Sequence, residues 1–166
     1  RNPPSLNCTT REFFLPVSKF AAHESNARFA RFVEFPAFLE VLRILKEAEI
    51  PYDEAQVVAT DEKHSLLLTP FIDDVEGLRY NCSFPEEFEG CVAPIVILFS
   101  GRKAEQLWNK RKYRRLVEHS HLDILIAIGT SNVFGYEVLE SATQLEYLAK
   151  SEAVKTGSEL LSSPFQ

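Results

Sequence analysis

The sequence lacks nearly every pattern that names an activity outright. Its 166 residues contain no methionine, where a chain of ordinary composition carries a few. The three cysteines, Cys8, Cys82 and Cys91, form no CxxC pair, which excludes a zinc ribbon. No apolar run approaches the roughly 20 residues of a membrane span, and no signal-peptide pattern opens the sequence. Basic residues are too few for a general nucleic-acid binder: 18 Lys and Arg face 24 Asp and Glu, a net charge of −6. The acidic residues have no EF-hand spacing, and no internal repeat or low-complexity segment occurs. Asn7-Cys8-Thr9 and Asn81-Cys82-Ser83 match the glycosylation sequon, which arises readily by chance. The expectation is a cytoplasmic globular protein whose cysteines are buried thiols, with a Cys82–Cys91 disulfide as the alternative.

Two apolar runs are present, Val92 to Phe99 and Leu122 to Ile128. Their lack of alternation predicts strands covered on both faces. A charged helix from about Ala104 to Val117 joins them, so the unit reads as a β-α-β crossover. Upstream, Phe29 to Phe35 reads as a strand and Pro36 as a first helical residue. Phe38, Leu42, Leu45 and Ala48 then form a buried helical stripe, widened by Val41 and Ile44. Ile50-Pro51 ends that helix. Ala55 to Thr60 and Ser65 to Thr69 read as a strand hairpin around the polar turn Asp61-Glu62-Lys63-His64. Residues 73–91 read as a long acidic and aromatic loop. A last helix is expected from about Tyr136 to Lys150, with Val138, Ala142, Leu145 and Ala149 buried.

The domain reading is an irregular N-terminal arm over 1–27 with a short strand at Phe13-Phe14-Leu15, an α/β domain over 28–150, and a tail over 151–166. The fold class is α/β. A mixed, mostly parallel sheet of about five strands carries helices packed on it, in the order β-α-β-β-β-α-β-α.

Three groups of residues suggest chemistry. Gly129-Thr130-Ser131-Asn132 follows the second apolar strand, where open parallel sheets hold ligands. Glycine there permits close backbone approach, and hydroxyls and free N–H groups suit phosphate or ribose. Pro94 to Phe99 together with Asp123 to Ser131 resembles part of a sirtuin core, in which a Gly-Thr-Ser turn contacts the dinucleotide. That resemblance implies nucleotide binding at Gly129, Thr130 and Ser131.

His119-Ser120-His121 would place two imidazoles on one side of a strand, suited to one divalent metal. With Tyr147-Leu148-Ala149-Lys150 on the last helix, the pattern resembles the metal and nucleophile motifs of the HUH endonucleases. It implies His119 and His121 as metal ligands, Tyr147 as the nucleophile that cleaves single-stranded DNA, and Lys150 as charge stabiliser. The third group is Lys110 to Arg115, a basic stretch that could hold phosphates, with Trp108 expected on the core face and Tyr113 outside it.

No convergent acid, base and nucleophile can be placed, and His64 and Cys91 find no triad partner. The leading expectation is therefore a non-catalytic binding or regulatory module. It recognises a small ligand or protein partner near the carboxyl ends of the strands. A metal-dependent DNA-nicking enzyme and a nucleotide-binding domain are the alternatives.

Overall fold

A computed structural model of the chain describes residues 11–19, 34–53, 55–73, 75, 82–88, 92–101 and 103–146. The two apolar runs become adjacent parallel strands, β3 (Ala93–Phe99) and β4 (His121–Gly129), with Ile95 opposite Ile124 and Phe99 opposite Ile128. The register shifts between Ala93 and Ile95. Pro94 lies there, and it has no N–H to give to the ladder. Around this pair stand β1 (Arg11–Pro16), β2 (Gln56–Val58) and β5 (Glu137–Val138). All pairs are parallel, in the spatial order β2-β3-β4-β1-β5. The chain is thus an α/β protein.

Helices cover both faces of the sheet. On one face α1 (Glu34–Glu47) and α2 (Glu62–Asp73) bury Phe38, Val41, Leu45, Leu68 and Ile72 against Phe13, Ile97, Phe99 and Ile126. On the other face α4 (Ala104–Trp108) and α5 (Arg111–Glu118) pack Tyr113 and Val117 over Phe14, Val96, Leu98 and Leu125. Pro85 and Glu86 of the short α3 (Pro85–Phe88) line a cavity together with residues of α5. No helix among the described residues is long and apolar enough to cross a membrane.

The structure corrects several local expectations. The short strand expected at Phe13-Phe14-Leu15 forms, but it extends over Arg11–Pro16 and is an interior strand of the sheet, with those three residues buried. Glu34 and Phe35 are helical rather than extended, so Pro36 sits inside the first turn of α1; residues 29–33 lie outside the described residues.

The expected hairpin strand Ser65–Thr69 is helical. Asp61 Oδ1 accepts the His64 N–H at 2.8 Å and caps α2, and Ser65, Leu68 and Ile72 face inward at helical spacing. Leu66 and Leu67 point to solvent, which is why a run of three leucines misleads: its length fits a strand or a helix equally.

Residues 136–146 do not begin a long helix. Glu137–Val138 pairs with Phe13–Phe14 as β5, and a 3-10 turn follows at Ala142–Leu145. Ala142 and Leu145 are buried as the stripe predicted, but Val138 is exposed. Gln144 enforces the turn, accepting the Ser141 N–H at 3.0 Å and donating to the Val138 carbonyl at 2.9 Å.

The single expected helix over 104–117 is broken at Asn109-Lys110. The break resets the periodicity. Tyr113 is consequently 7% exposed, and Trp108 only half-buried, the reverse of the sequence reading.

Candidate functional site

All five strands are parallel, so their carboxyl ends share one edge. The connections leave that edge in two directions. The chain leaving β2 enters α2 on the α1 face, and Ser83 then bridges Val58 on the outer side of β2. The chain leaving β3 enters α4 and α5 on the opposite face. Movement toward β2 uses one face and movement away uses the other, as right-handed crossovers require. Where neighbouring strands send their connections to opposite faces, a crevice opens. This happens twice, between β2 and β3 and between β4 and β1.

At the β2/β3 crevice Thr60, at the end of β2, places both its backbone N–H and its Oγ1 on His64 Nδ1, at 3.2 and 3.0 Å. His64 stands in the first turn of α2, one turn past Thr60, so the Asp61 cap that starts the helix also aims the ring. His64 Nε2 meets Glu34 Oε1 at 3.0 Å. Glu34 opens α1, and its Oε2 accepts the Gly101 N–H at 3.1 Å. An N–H pointing at Nδ1 makes that nitrogen an acceptor, so the ring proton sits on Nε2 and is donated to Glu34.

Thr60, His64 and Glu34 form a hydroxyl–imidazole–carboxylate array. The His64 and Glu34 side chains are 18% and 14% exposed, dry enough that water screens their interaction weakly. The ring also meets Phe99 edge-on, with centroids 6.2 Å apart. Gly101 has φ +65, and a Cβ there would lie 2.9 Å from Thr60 Cγ2. Only glycine combines that backbone conformation with so close a neighbour.

Beside the array, toward α5, lies a cavity of about 140 Å³. Thr60, Pro85, Glu86, Lys110, Lys112 and Tyr113 are among the residues that line it. Burial pushes the Tyr113 phenol well above its ordinary pKa, so it stays a neutral hydroxyl group at physiological pH. Lys110 and Lys112 supply positive charge to the cavity, partly opposed by Glu86.

The β4/β1 crevice holds the turn singled out from the sequence. A Cβ on Gly129 would fall 1.9 Å from Ser100 Oγ, which donates to the Ile128 carbonyl at 2.9 Å. Gly129 is therefore needed for packing. Asn132 closes its own loop, giving Nδ2–H to the Tyr136 carbonyl at 2.7 Å and accepting the Tyr136 N–H at 3.1 Å. Thr130 and Ser131 are exposed.

The two histidines of the expected metal pair do not share a strand. His119 is the exposed C-cap residue of α5, and His121 begins β4, buried, with Nε2 at 2.8 Å from Glu12 Oε2. Among the described residues no group of three or more His, Cys, Asp or Glu is placed to hold a metal ion. Tyr147 and Lys150 lie outside the described residues. The basic stretch is exposed at Lys110, Arg111, Lys112, Arg114 and Arg115, and the Arg114 guanidinium sits 5.0 Å over the Trp108 ring. Cys82 is a buried free thiol, pushed up to about 12 chiefly by burial, and Cys91 lies outside the described residues.

Sequence reasoning missed Glu34, Thr60 and Gly101 altogether and left His64 without a partner. The one available signal was the four-residue spacing of Thr60 and His64, and it has meaning only once Asp61 is seen to cap a helix. Comparison with protein-family models, with curated proteins and with solved structures returns no match.

Proposed function

We propose that the chain is a binding module for a small anionic ligand, seated at the carboxyl ends of β2 and β3. The observation that carries this reading is the cavity of about 140 Å³ that joins Thr60 to Lys110 and Lys112 at a point where the connections diverge. That volume is close to the roughly 150 Å³ of a cavity that accepts a benzene ring, so the ligand is small or inserts only one end. Two ammonium groups favour a carboxylate or phosphate, and the Thr60 and Tyr113 hydroxyls offer neutral hydrogen bonds that fix its orientation. A protein partner is less well suited, because the cavity is recessed between α3, α5 and the end of β2.

Titration calorimetry with phosphate, malonate and succinate tests the reading. At least one should bind the unmodified chain, and a Lys110→Glu, Lys112→Glu double variant, which replaces two attractive charges by repulsive ones, should bind it at least about tenfold more weakly, a loss of about 1.4 kcal/mol. Equal binding by both proteins, or none by either, would refute it.

A further inference from the structure

We propose that Thr60 is an acyl-accepting nucleophile and that the chain hydrolyses short carboxylic esters whose acyl group carries a second carboxylate. The inference rests on the cavity reading above and adds a reaction to it. Its basis is geometric. Thr60 Oγ1 lies 3.0 Å from His64 Nδ1, and His64 Nε2 lies 3.0 Å from Glu34 Oε1. A hydroxyl within hydrogen-bond reach of a base, itself oriented by a third group, is the arrangement that activates an alcohol nucleophile. Nδ1 turns its lone pair toward Thr60, where the N–H and Oγ1 share it, and proton transfer from Oγ1 displaces the longer N–H contact. Thr60 is one of the residues that line the cavity, which puts the array beside the space a substrate would occupy.

A helix-capping role alone accounts for the Asp61–His64 bond. It does not call for a carboxylate from α1 on the far ring nitrogen, nor for that carboxylate to be held in turn by the Gly101 N–H.

The reaction runs in two halves. Thr60 Oγ1 forms a bond to the ester carbonyl carbon while its proton passes to His64 Nδ1. Glu34 stabilises the imidazolium from the Nε2 side. The C–O bond to the alkoxide breaks, and the leaving oxygen takes the proton from Nδ1, so one alcohol departs and Thr60 carries the acyl group as an ester. Water then attacks that carbonyl, giving its proton to Nδ1, and the proton returns to Thr60 Oγ1 as the carboxylic acid leaves. No oxidant or reductant enters. Lys110 and Lys112 supply the charge that selects an anionic acyl group.

The probe is mono-4-nitrophenyl succinate on the full chain. The expected result is a burst of nitrophenolate and a succinyl adduct that peptide mapping places on Thr60. Thr60→Ser should keep both and Thr60→Val should lose both. His64→Gln should slow turnover about 100-fold or more. Glu34 is a positioning residue, so Glu34→Gln should lower kcat and leave KM unchanged.

Peptide mapping of the unmodified chain decides the matter even if a variant does not fold. An adduct on Lys110 or Lys112 that persists in Thr60→Val, or no adduct at all, overturns the proposal. Calorimetry with succinate on the same samples separates the two readings. Binding without acylation removes the reaction and leaves the cavity, whereas neither binding nor acylation removes both.

Discussion

The two crevices at the carboxyl edge of the sheet have one topological cause and opposite contents. Around the end of β4, polar groups are spent on the backbone: Ser100, just past β3, on the Ile128 carbonyl, and Asn132 on both backbone groups of Tyr136. Between β2 and β3, side chains from three elements bond one another, and a cavity lies alongside. A switch point therefore provides room, but the residues decide whether that room is filled or left for a ligand. The glycines show the same division. Gly129 leaves space for a neighbouring side chain, whereas Gly101 turns the backbone so that its N–H reaches Glu34.

The comparison is broken most directly at these glycines. Gly101→Ala forces φ +65 on an L side chain and a Cβ 2.9 Å from Thr60 Cγ2. About 1–2 kcal/mol of stability should go to the backbone conformation alone, and ligand binding should fall with it, as urea denaturation and calorimetry on one preparation would show.

Gly129→Ala should cost roughly 1–3 kcal/mol by overpacking and leave binding unchanged. Added Ser100→Ala should recover much of that cost, because the clash is with Ser100 Oγ. A double-mutant cycle without coupling would show that Gly129 is not there for Ser100.

The smallest effect concerns pH. The Cys82 thiol is held up to about 12 by burial, so the folded chain keeps that proton while the unfolded chain releases it near pH 8.5. Stability should then be unaffected by Cys82 below that value and decline as pH rises from there toward 12. Tyr113, shifted the same way, steepens the decline at the upper end. Cys82→Ala should flatten the first part of that slope, and alkylation of Cys82 in the native chain should be slow at pH 8.

Sequence alone revealed those parts of the fold in which each residue has one reading. The runs that became β3 and β4 are continuous and rich in β-branched residues, and the α1 stripe is long enough to fix a helical period, with Phe38, Val41, Leu42, Ile44, Leu45 and Ala48 all buried. The misreadings fall where a segment is shorter than its own period. Leu66-Leu67-Leu68 cannot tell helix from strand, and Val138, Ala142 and Leu145 mimic a helix although a two-residue strand and a 3-10 turn carry them. The site was hidden for a different reason. Glu34 and His64 stand 30 positions apart, and only the packing of α1 beside α2 brings them together.

The place of β1 in the sheet also bears on how the chain comes to be folded. Glu12 and His121 meet across 109 positions of sequence, whereas β3 and β4 are joined by one short helical connection. Closing the longer loop costs more chain entropy and brings no contact until it is nearly complete. On a ribosome, β1 emerges before the other described strands and pairs among the last of them. Until then β4 is an open edge, with its apolar residues and unpaired backbone groups available to any other strand. Among the described strands, the earliest in sequence is thus the closing piece of the sheet, and a delay in its pairing is the moment at which this sheet is most exposed to aggregation.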